Sequence, residues 1–443
     1  MSSISEALPP SPSTSPTSTD PATPALSADR RSPRAVDLSW VIGLFGTAVG
    51  AGILFLPINA GAGGLWPLLI VTLLIGPMTY FSHRALARFV CVSPKQGQDI
   101  TVVAGDYFGH RVGKAITVLY FFAIYPIVLI YGVSITNTVD SLLVNQFGLP
   151  QIPRPILSFI LIALMMLVMI MGERIMLTVT QFLVYPLIVA LLAISLFLIP
   201  SWHIGDLAQM PEGGVGGLAM AVWLVIPVLV FAFNHSPAIS QFSLSMQRTH
   251  GARSAERASW VLRRSAALLV VFTMLFVWSC VLSLGTDGLA AAREANLPVL
   301  SYLANVHGAP VIAYAGPAIA IVAIGSSFFG HYLGAAEGAQ GLLRGFAPRT
   351  AESWGARRTA MIVAAFIFLT TWATAIVNPG VLSIIESLSG PVIAAILYIM
   401  PMIAIRKVPA LAPYRGKISN VFVVVAGLVA ISGILFTVIR VFV

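Results

Sequence analysis

The chain has 443 residues, of which 58% are hydrophobic and only 9% carry a charge. A soluble domain usually has about 25% charged residues, and so few charges cannot cover the surface of a water-soluble core of this size. The composition therefore excludes a soluble enzyme, a nucleic-acid-binding domain and a disordered protein, and it predicts an integral membrane protein.

The amino-terminal segment differs in composition from the rest of the chain. Serine, threonine and proline dominate residues 2–33, which have neither a hydrophobic period nor the apolar core of a signal peptide. Such a segment cannot bury enough apolar surface to offset the entropy lost on ordering. We therefore expect residues 1–35 to form a disordered cytoplasmic tail and residues 36–443 to form the membrane domain.

Eleven apolar stretches follow the tail, each long enough to cross a bilayer as a helix, which takes about 20 residues. They are continuous runs rather than short alternating segments, so they predict helices and not a β-barrel. The predicted spans, numbered 1 to 11 in chain order, cover residues 38–60, 65–89, 115–138, 155–172, 178–199, 217–243, 265–284, 309–335, 359–377, 381–405 and 419–440.

The basic residues predict how these spans are oriented, because short positively charged loops stay in the cytoplasm. With the tail inside, all but three of the 25 lysines and arginines fall on the cytoplasmic side, the exceptions being Arg154, Arg293 and Arg440. The amino terminus is therefore predicted to be cytoplasmic and the carboxyl terminus periplasmic or extracellular. Cys91 lies at the cytoplasmic end of span 2 and Cys280 towards the outer end of span 7, so they should not form a disulfide.

Two spans contain features that interrupt a helix. Span 1 has four glycines between Gly43 and Gly52, and span 6 contains Asn234-His235-Ser236-Pro237, where Ser236 and Pro237 are typical of an N-cap and a first helical residue. In secondary transporters the substrate site lies at broken helices in matching positions of two repeats. This predicts inverted repeats over about 38–200 and 217–405, with an extra helix over about 419–440. The alternative for the glycines is close helix packing.

Broken helices offer complementary charges to a ligand. The half-helix after each break presents free N–H groups and a positive dipole end, which suit a carboxylate. The half-helix before it ends in unpaired carbonyls, which suit an ammonium group or a cation. An α-amino acid has both groups, and the small residues at the breaks favour serine or threonine over an aromatic amino acid.

Ionisable side chains inside the spans are few, and such groups are usually functional. His235 lies in the span 6 interruption and either exchanges a proton near neutral pH or caps the unwound backbone. His331 and Glu337 lie towards the cytoplasmic end of span 8, where Glu337 is either a proton acceptor or a surface carboxylate near Arg344. Glu386 lies inside span 10 as an isolated carboxylate that either carries a proton or acts as an outer gate. The pair His83 and Arg84 indicates anchors at the membrane interface.

Four segments resemble the hydroxy and aromatic amino acid permeases, most closely the bacterial serine/threonine transporter branch. They are residues 43–61, 231–237, 330–334 with Glu337, and 419–425, and the resemblance extends from Asp37 to the end of the chain. It implies an all-α integral membrane protein with eleven transmembrane helices, arranged as a LeuT-type 5+5 inverted repeat plus one helix. It further implies a bacterial inner-membrane importer of serine or threonine that is driven by protons and works by alternating access.

The same resemblance implies where substrate and ion bind. Tyr125, near the middle of span 3, is the candidate for closing over the substrate, with packing between helices as the alternative. No cofactor, metal, nucleic acid or obligate protein partner is implied. The substrate candidates are Gly46, Thr47, Ala48, Gly50, Ala51, Gly52, Tyr125, Phe233, Asn234, His235 and Ser236.

One departure from the family bears on the coupling ion. Family members have a lysine in span 8 where this chain has Ser326, and in LeuT-type folds a pair of hydroxyls at this place binds sodium. Ser326 and Ser327 supply two hydroxyls, so a sodium-coupled symporter of a small neutral amino acid is the alternative to proton coupling. The candidates for ion coupling are His235, Ser326, Ser327, His331, Glu337 and Glu386.

Two other classes are disfavoured by the sequence. A membrane-embedded enzyme would need a catalytic motif, and neither HExxH nor GxSxG occurs. A channel would need a pore lined by a ring of carbonyls or charges, which a single asymmetric chain with two broken helices does not indicate.

Overall fold

The computed structural model describes residues 32–170 and 173–442, so the predicted tail lies almost entirely outside the described residues. Helices are the only regular structure in these two ranges. The α-helices are α1 Pro33–Ala48, α2 Ala51–Gly61, α3 Leu65–Cys91, α4 Ile100–Phe108, α5 His110–Ser141, α6 Arg154–Ile170, α7 Glu173–Phe197, α8 Gly214–Ala232, α9 Ser236–His250, α10 Ser254–Glu294, α11 Val299–Val306, α12 Pro310–Phe346, α13 Pro348–Val377, α14 Val381–Ile384, α15 Gly390–Ala394, α16 Met400–Lys407 and α17 Ile418–Phe442.

Shorter turns complete the helical path. The π-helical turns Ile385–Ser389 and Ala395–Ile399 join α14, α15 and α16 into one helix over Val381–Lys407. A further π-helical turn, Leu142–Gln146, extends α5. The 3-10 turns in the described ranges are Ile199–Ser201, Gly205–Ala208, Gly251–Arg253 and Pro409–Tyr414.

When helices are counted by length and hydropathy, the structure has fewer membrane spans than the sequence predicts. Eight helical segments among the described residues are long and apolar enough to cross a bilayer, or nine if the bent pair α1–α2 is one span. Two shorter apolar stretches, Arg154–Met169 and Ile418–Gly433, lie where spans 4 and 11 are predicted. The count of eleven therefore stays a prediction, while the all-helical membrane architecture is confirmed.

Both predicted helix interruptions are present. Helices α1 and α2 meet at an angle of 57°, with Val49 and Gly50 between them. Helices α8 and α9 are separated by residues 233–235. Span 7, predicted over 265–284, is part of the longer helix α10, which bends at Gly285 where φ is +64°. A positive φ at this place suits glycine, because it has no Cβ to clash with the backbone.

Close packing of α12 against α5 sets the geometry at the first break. A Cβ at Gly338 would lie 3.1 Å from Phe121 Cα, and one at Gly341 would lie 3.0 Å from Thr117 Cγ2. Small residues on one helix face let two backbones approach in this way. The approach brings the next turns of α5 and α12 together beside the end of α1.

Candidate functional site

The first break exposes a helix end within the protein core. Gly50 is the N-cap of α2 and supplies no side-chain hydrogen bond. The first N–H groups of α2, at Ala51 and Gly52, therefore point into the break without an acceptor within the helix. A Cβ at Gly50 would lie 2.5 Å from Ser327 Oγ and 2.9 Å from Tyr131 Oη. The backbone at Gly50 therefore lies so close to α5 and α12 that no side chain fits between them.

A polar cluster of Thr47, Tyr131, Ser327 and His331, named the Thr47 cluster here, lies beside this break. The Ser327 hydroxyl donates to the Thr47 carbonyl at 2.7 Å. Since that hydroxyl has one proton, the Tyr131 hydroxyl, 2.7 Å away, donates to Ser327 Oγ. The Nδ1–H of His331 donates to the Ser327 carbonyl at 2.9 Å. An ionisable imidazole is thus held within two hydrogen bonds of the carbonyl end of α1.

The second break is stabilised by Asn234. Its Oδ1 accepts a hydrogen bond from the Ser236 N–H at 3.0 Å. The N-cap of α9 is His235, so Ser236 is the first helical residue and the prediction that Ser236 is the N-cap is wrong by one residue. The cause is that an asparagine two residues before a free N–H can cap it through its own side chain. Pro237, which lacks an N–H, occupies the second helical position.

Two polar atoms at the second break have no hydrogen-bond partner among the described residues. They are the donor Asn234 Nδ2 and the acceptor His235 Nε2, and both are buried. Buried polar groups without a partner are uncommon, and each one needs an explanation such as a ligand or water. The second break therefore offers one donor and one acceptor to a small polar group.

The two breaks lie next to each other. A Cβ at Gly52 would lie 2.8 Å from Ala232 Cα, so the start of α2 touches the end of α8. Helix α12 contacts both breaks, because a Cβ at Gly330 would lie 3.2 Å from Thr47 Cγ2 and one at Gly334 would lie 3.0 Å from Pro237 Cβ. The helix ends, the Thr47 cluster and the unpaired atoms of Asn234 and His235 thus form one buried region.

His83 is a site residue that the sequence interpretation missed. It is 1% exposed, so its prediction as an interfacial anchor is wrong. Its ring stacks on the His235 ring with centroids 3.6 Å apart, and its Nε2 accepts from the His235 N–H at 3.1 Å. Arg84, its neighbour, instead donates to Ser419 Oγ at 3.2 Å. The available signal was an ionisable residue inside an apolar helix, which is usually functional.

The remaining substrate candidates are buried at or next to the breaks, apart from Tyr125. Gly46 packs against Val184 of α7, and Phe233 is buried between α8 and α9. Tyr125 stacks between Phe121 and Phe366, at centroid distances of 4.7 and 5.5 Å. This is the packing alternative. Tyr131 is the tyrosine of α5 that contacts the first break.

The ion-coupling candidates separate into different environments. The Ser326 hydroxyl donates to the Ala323 carbonyl of its own helix, whereas the Ser327 hydroxyl donates to the Thr47 carbonyl at the first break. Glu337 is not a surface partner of Arg344, which donates to Asp99 at 3.4 Å. The Oε1 of Glu337 is buried and has no hydrogen-bond partner in the described part of the chain.

Glu386 is not the isolated carboxylate that the sequence indicates. Arg293 donates to both of its oxygens, at 3.0 and 2.9 Å, and Asn59 Nδ2 donates to Oε1 at 2.7 Å. These contacts link α2, α10 and the helix that begins at Val381. They favour the gate interpretation of Glu386, because a bidentate arginine and an asparagine tie this carboxylate to two other helices.

The opposite end of the molecule is closed by Asp37, which is 1% exposed. It accepts from His250 Nε2 at 2.8 Å and from Arg257. Nearby, Trp40 Nε1 donates to Ser245 Oγ at 2.9 Å, and the Trp40 and Phe242 rings pack edge to face. The start of α1 is thus clamped to α9 and α10, so the breaks are closed off at both ends.

We expect the Arg293–Glu386 pair to contribute a coupling free energy of about 0.5–1 kcal/mol to stability, since the pair is bidentate but partly exposed. A double-mutant cycle with Arg293→Gln and Glu386→Gln, read by thermal unfolding in detergent, measures it. The control is the cycle of Lys95→Gln and Asp106→Asn, an exposed pair joined by one contact, which should couple less. Equal coupling in both cycles would contradict the role given to Glu386.

The fold and the site define the class of this protein, because two adjacent broken helices at a buried polar site are the arrangement of secondary transporters. MhsT in complex with L-phenylalanine has a TM-score of 0.57 at 16% identity, over 91% of this chain and 98% of that one. MHP1, a nucleobase-cation-symport-1 family transporter, has a TM-score of 0.53 at 15% identity, over 91% and 93%. These likenesses confirm the predicted LeuT-type fold.

Sequence comparisons then give the family. The model of the tryptophan/tyrosine permease family matches residues 38–443, and the chain belongs to this family. The serine transporters SdaC of Escherichia coli K12 and of Shigella flexneri are each 49% identical to it over 416 residues, which cover 93% of this chain and 97% of each relative. The predictions of a permease of this kind and of a secondary amino acid transporter, not an enzyme, are confirmed.

Proposed function

We propose that this protein imports serine, with threonine as a second substrate, together with protons across the bacterial inner membrane. The 49% identity to transporters named for serine, over nearly their whole length, is the observation that carries the substrate. The substrate site is the buried region between the two breaks. The amino terminus is cytoplasmic and the carboxyl terminus periplasmic, as the distribution of basic residues indicates.

The helix ends at the breaks match the charged groups of an amino acid. The free N–H groups of Ala51 and Gly52 receive the carboxylate, since the positive dipole end of α2 lies there. The carbonyl ends of α1 and α8 receive the ammonium group. Both breaks are needed for one substrate, which agrees with the contact between Gly52 and Ala232.

The unpaired atoms at the second break match the serine side chain. A hydroxyl both donates and accepts, so it satisfies Asn234 Nδ2 and His235 Nε2 together. A methyl group satisfies neither, and an indole N–H only donates. The two breaks are also closely packed, with Gly50, Gly52 and Gly330 at or near the closest approach of backbones. This favours a substrate with a small side chain.

Proton coupling is favoured over sodium coupling by the Thr47 cluster. Sodium would need several oxygen ligands, and the two hydroxyls of span 8 are already engaged differently, Ser326 within its own helix and Ser327 with α1. The Ser327 hydroxyl lies between the Thr47 carbonyl and the Tyr131 hydroxyl, each 2.7 Å away. His331 supplies a cation when it takes up a proton. A positive charge beside the carboxyl end of α1 is favourable, because that end carries the negative part of the helix dipole.

Transport by this site requires the two closed ends to open in turn. Opening the end at Glu386 separates Arg293 and Asn59 from the carboxylate and admits substrate from outside. Opening the end at Asp37 releases α1 from His250 and Arg257 and admits substrate to the cytoplasm. Each opening breaks charged hydrogen bonds at one end only, and this is the basis of alternating access.

The substrate assignment is tested by exchange in proteoliposomes, with the purified full chain and labelled serine on one side. Unlabelled serine should compete best and threonine next, while alanine should compete at least tenfold less well, because it leaves the buried polar atoms unpaired. Tryptophan should not compete. Equal competition by alanine would contradict the assignment of the hydroxyl, and stronger competition by tryptophan would contradict the substrate class.

A further inference from the structure

We propose that His83 is a positioning residue for the second break: as a neutral imidazole it holds the start of α9, and it leaves His235 Nε2 as the only atom of the stacked histidine pair that takes up a proton. This inference rests on the proposed function, because it assigns a role within the same substrate site.

Hydrogen bonds fix the protonation of His83. A carbonyl can only accept, so the contact of 2.8 Å between His83 Nδ1 and the Thr79 carbonyl places a proton on Nδ1. On the other side of the ring, Nε2 accepts from the His235 N–H at 3.1 Å. Both ring nitrogens are therefore in use. A second proton on His83 would set two N–H groups against each other and would break the hold on the second break.

His235 has the opposite arrangement. Its Nδ1–H donates to the Phe233 carbonyl at 3.1 Å, which leaves Nε2 as a buried lone pair without a partner in the described part of the chain. Without substrate, a proton at Nε2 costs no existing hydrogen bond; with serine bound, Nε2 instead accepts from the hydroxyl. The resulting cation would lie on the face of the neutral His83 ring, with the ring planes 11° apart. A proton that enters the pair therefore binds at His235 Nε2.

The two neutral rings can take up only one additional proton between them. Two positive rings with centroids 3.6 Å apart would repel strongly in a medium of low polarity. Among the described residues, no carboxylate, lysine or arginine contacts either ring. Tyr398 interacts with Ser82, the residue before His83. The two hydrogen bonds of His83 therefore determine which ring of the pair takes up the additional proton.

The backbone bond made by His83 also has a mechanical consequence. The His235 N–H is one of the first N–H groups of α9 and has no acceptor within the helix. His83 supplies that acceptor from α3, which packs along both α8 and α9. The second break is thus fixed to α3, so the two should move together when one end opens.

Two matched variants of His83 separate the hydrogen bond from the stacked ring. In His83→Gln the side-chain oxygen lies near the place of Nε2, so it accepts from the His235 N–H but cannot titrate. In His83→Phe the ring stack remains and the acceptor is lost. Serine exchange without a gradient gives KM and maximal rate for each variant in proteoliposomes, and accumulation under an imposed pH gradient gives the coupling.

We expect His83→Gln to keep KM within about threefold of the wild type and to keep accumulation driven by the pH gradient. His83→Phe should raise KM about tenfold or more, because it leaves a buried N–H without an acceptor. If His83→Phe does not yield folded protein, His83→Asn replaces it, since the shorter amide can reach Thr79 but not the His235 N–H.

Two results would overturn the inference. If His83→Gln loses accumulation but keeps exchange, His83 itself carries the proton. If His83→Gln and His83→Phe have the same KM, the hydrogen bond has no positioning role. Failure of the proposed function is a different result, because the wild-type protein would then not exchange serine at all.

Discussion

Replacing His331 with asparagine should abolish proton-driven accumulation of serine while exchange without a gradient continues. In the wild type, His331 Nδ1 lies 2.9 Å from the Ser327 carbonyl. The asparagine amide occupies the place of Nδ1 and keeps this bond, so the Thr47 cluster should retain its geometry. The variant has no side chain at position 331 that can take up a proton. We expect accumulation under a pH gradient to fall at least tenfold and exchange to stay within about threefold.

Two serine variants are the controls for this experiment. Ser326→Ala removes a hydroxyl that, among the described residues, bonds to its own helix, so both accumulation and exchange should stay close to the wild type. Ser327→Ala removes the bonds to Thr47 and Tyr131 and should impair both. Normal accumulation by His331→Asn would contradict the assignment, and Glu337, whose buried Oε1 has no partner among the described residues, would be the next candidate.

The second large effect is expected from Gly50→Ala. The added Cβ would lie 2.5 Å from Ser327 Cβ and Oγ, and Ser327 is held in place by its hydrogen bonds with the Thr47 carbonyl and the Tyr131 hydroxyl. Overpacking of this kind costs about 1–3 kcal/mol. We expect a lower melting temperature in detergent and at least a tenfold loss of serine exchange.

Gly43→Ala is the matched control. Gly43 lies in α1, the helix that ends at the first break, but a Cβ at Gly43 would meet nothing within 4 Å. Because alanine favours the helix over glycine, this variant should be stabilised by about 0.5–1 kcal/mol and should transport normally. If Gly50→Ala were as active and as stable as Gly43→Ala, the close approach of the first break to Ser327 and Tyr131 would be wrong.

The features that could be predicted from the sequence are those that neighbouring residues determine. A run of glycines from Gly43 and the segment Asn234–Pro237 mark the two breaks. The glycines have no side chain to restrict the backbone to a helix, and Pro237 has no N–H to continue a helix through the segment. The fold class followed from these breaks, the apolar composition and the family resemblance. Local chemistry also limited the precision, since asparagine capping moved the start of α9 by one residue.

Contacts between distant parts of the chain could not be predicted. His83 and Arg293 are remote in sequence from His235 and Glu386, and a single sequence does not show which helices pack together. The packing of α5 also decided between two tyrosines. Tyr125 and Tyr131 are six residues apart, so they lie on different faces of α5, and only the position of α12 determines which of them reaches the break.

Uptake of labelled serine by the purified protein in proteoliposomes, with a pH gradient or a sodium gradient imposed separately, tests the central claim most directly. Serine should accumulate when the outside is acidic and the sodium concentration is equal on both sides, and a sodium gradient at equal pH should drive no accumulation. Accumulation that follows the sodium gradient and ignores pH would contradict proton coupling at His331.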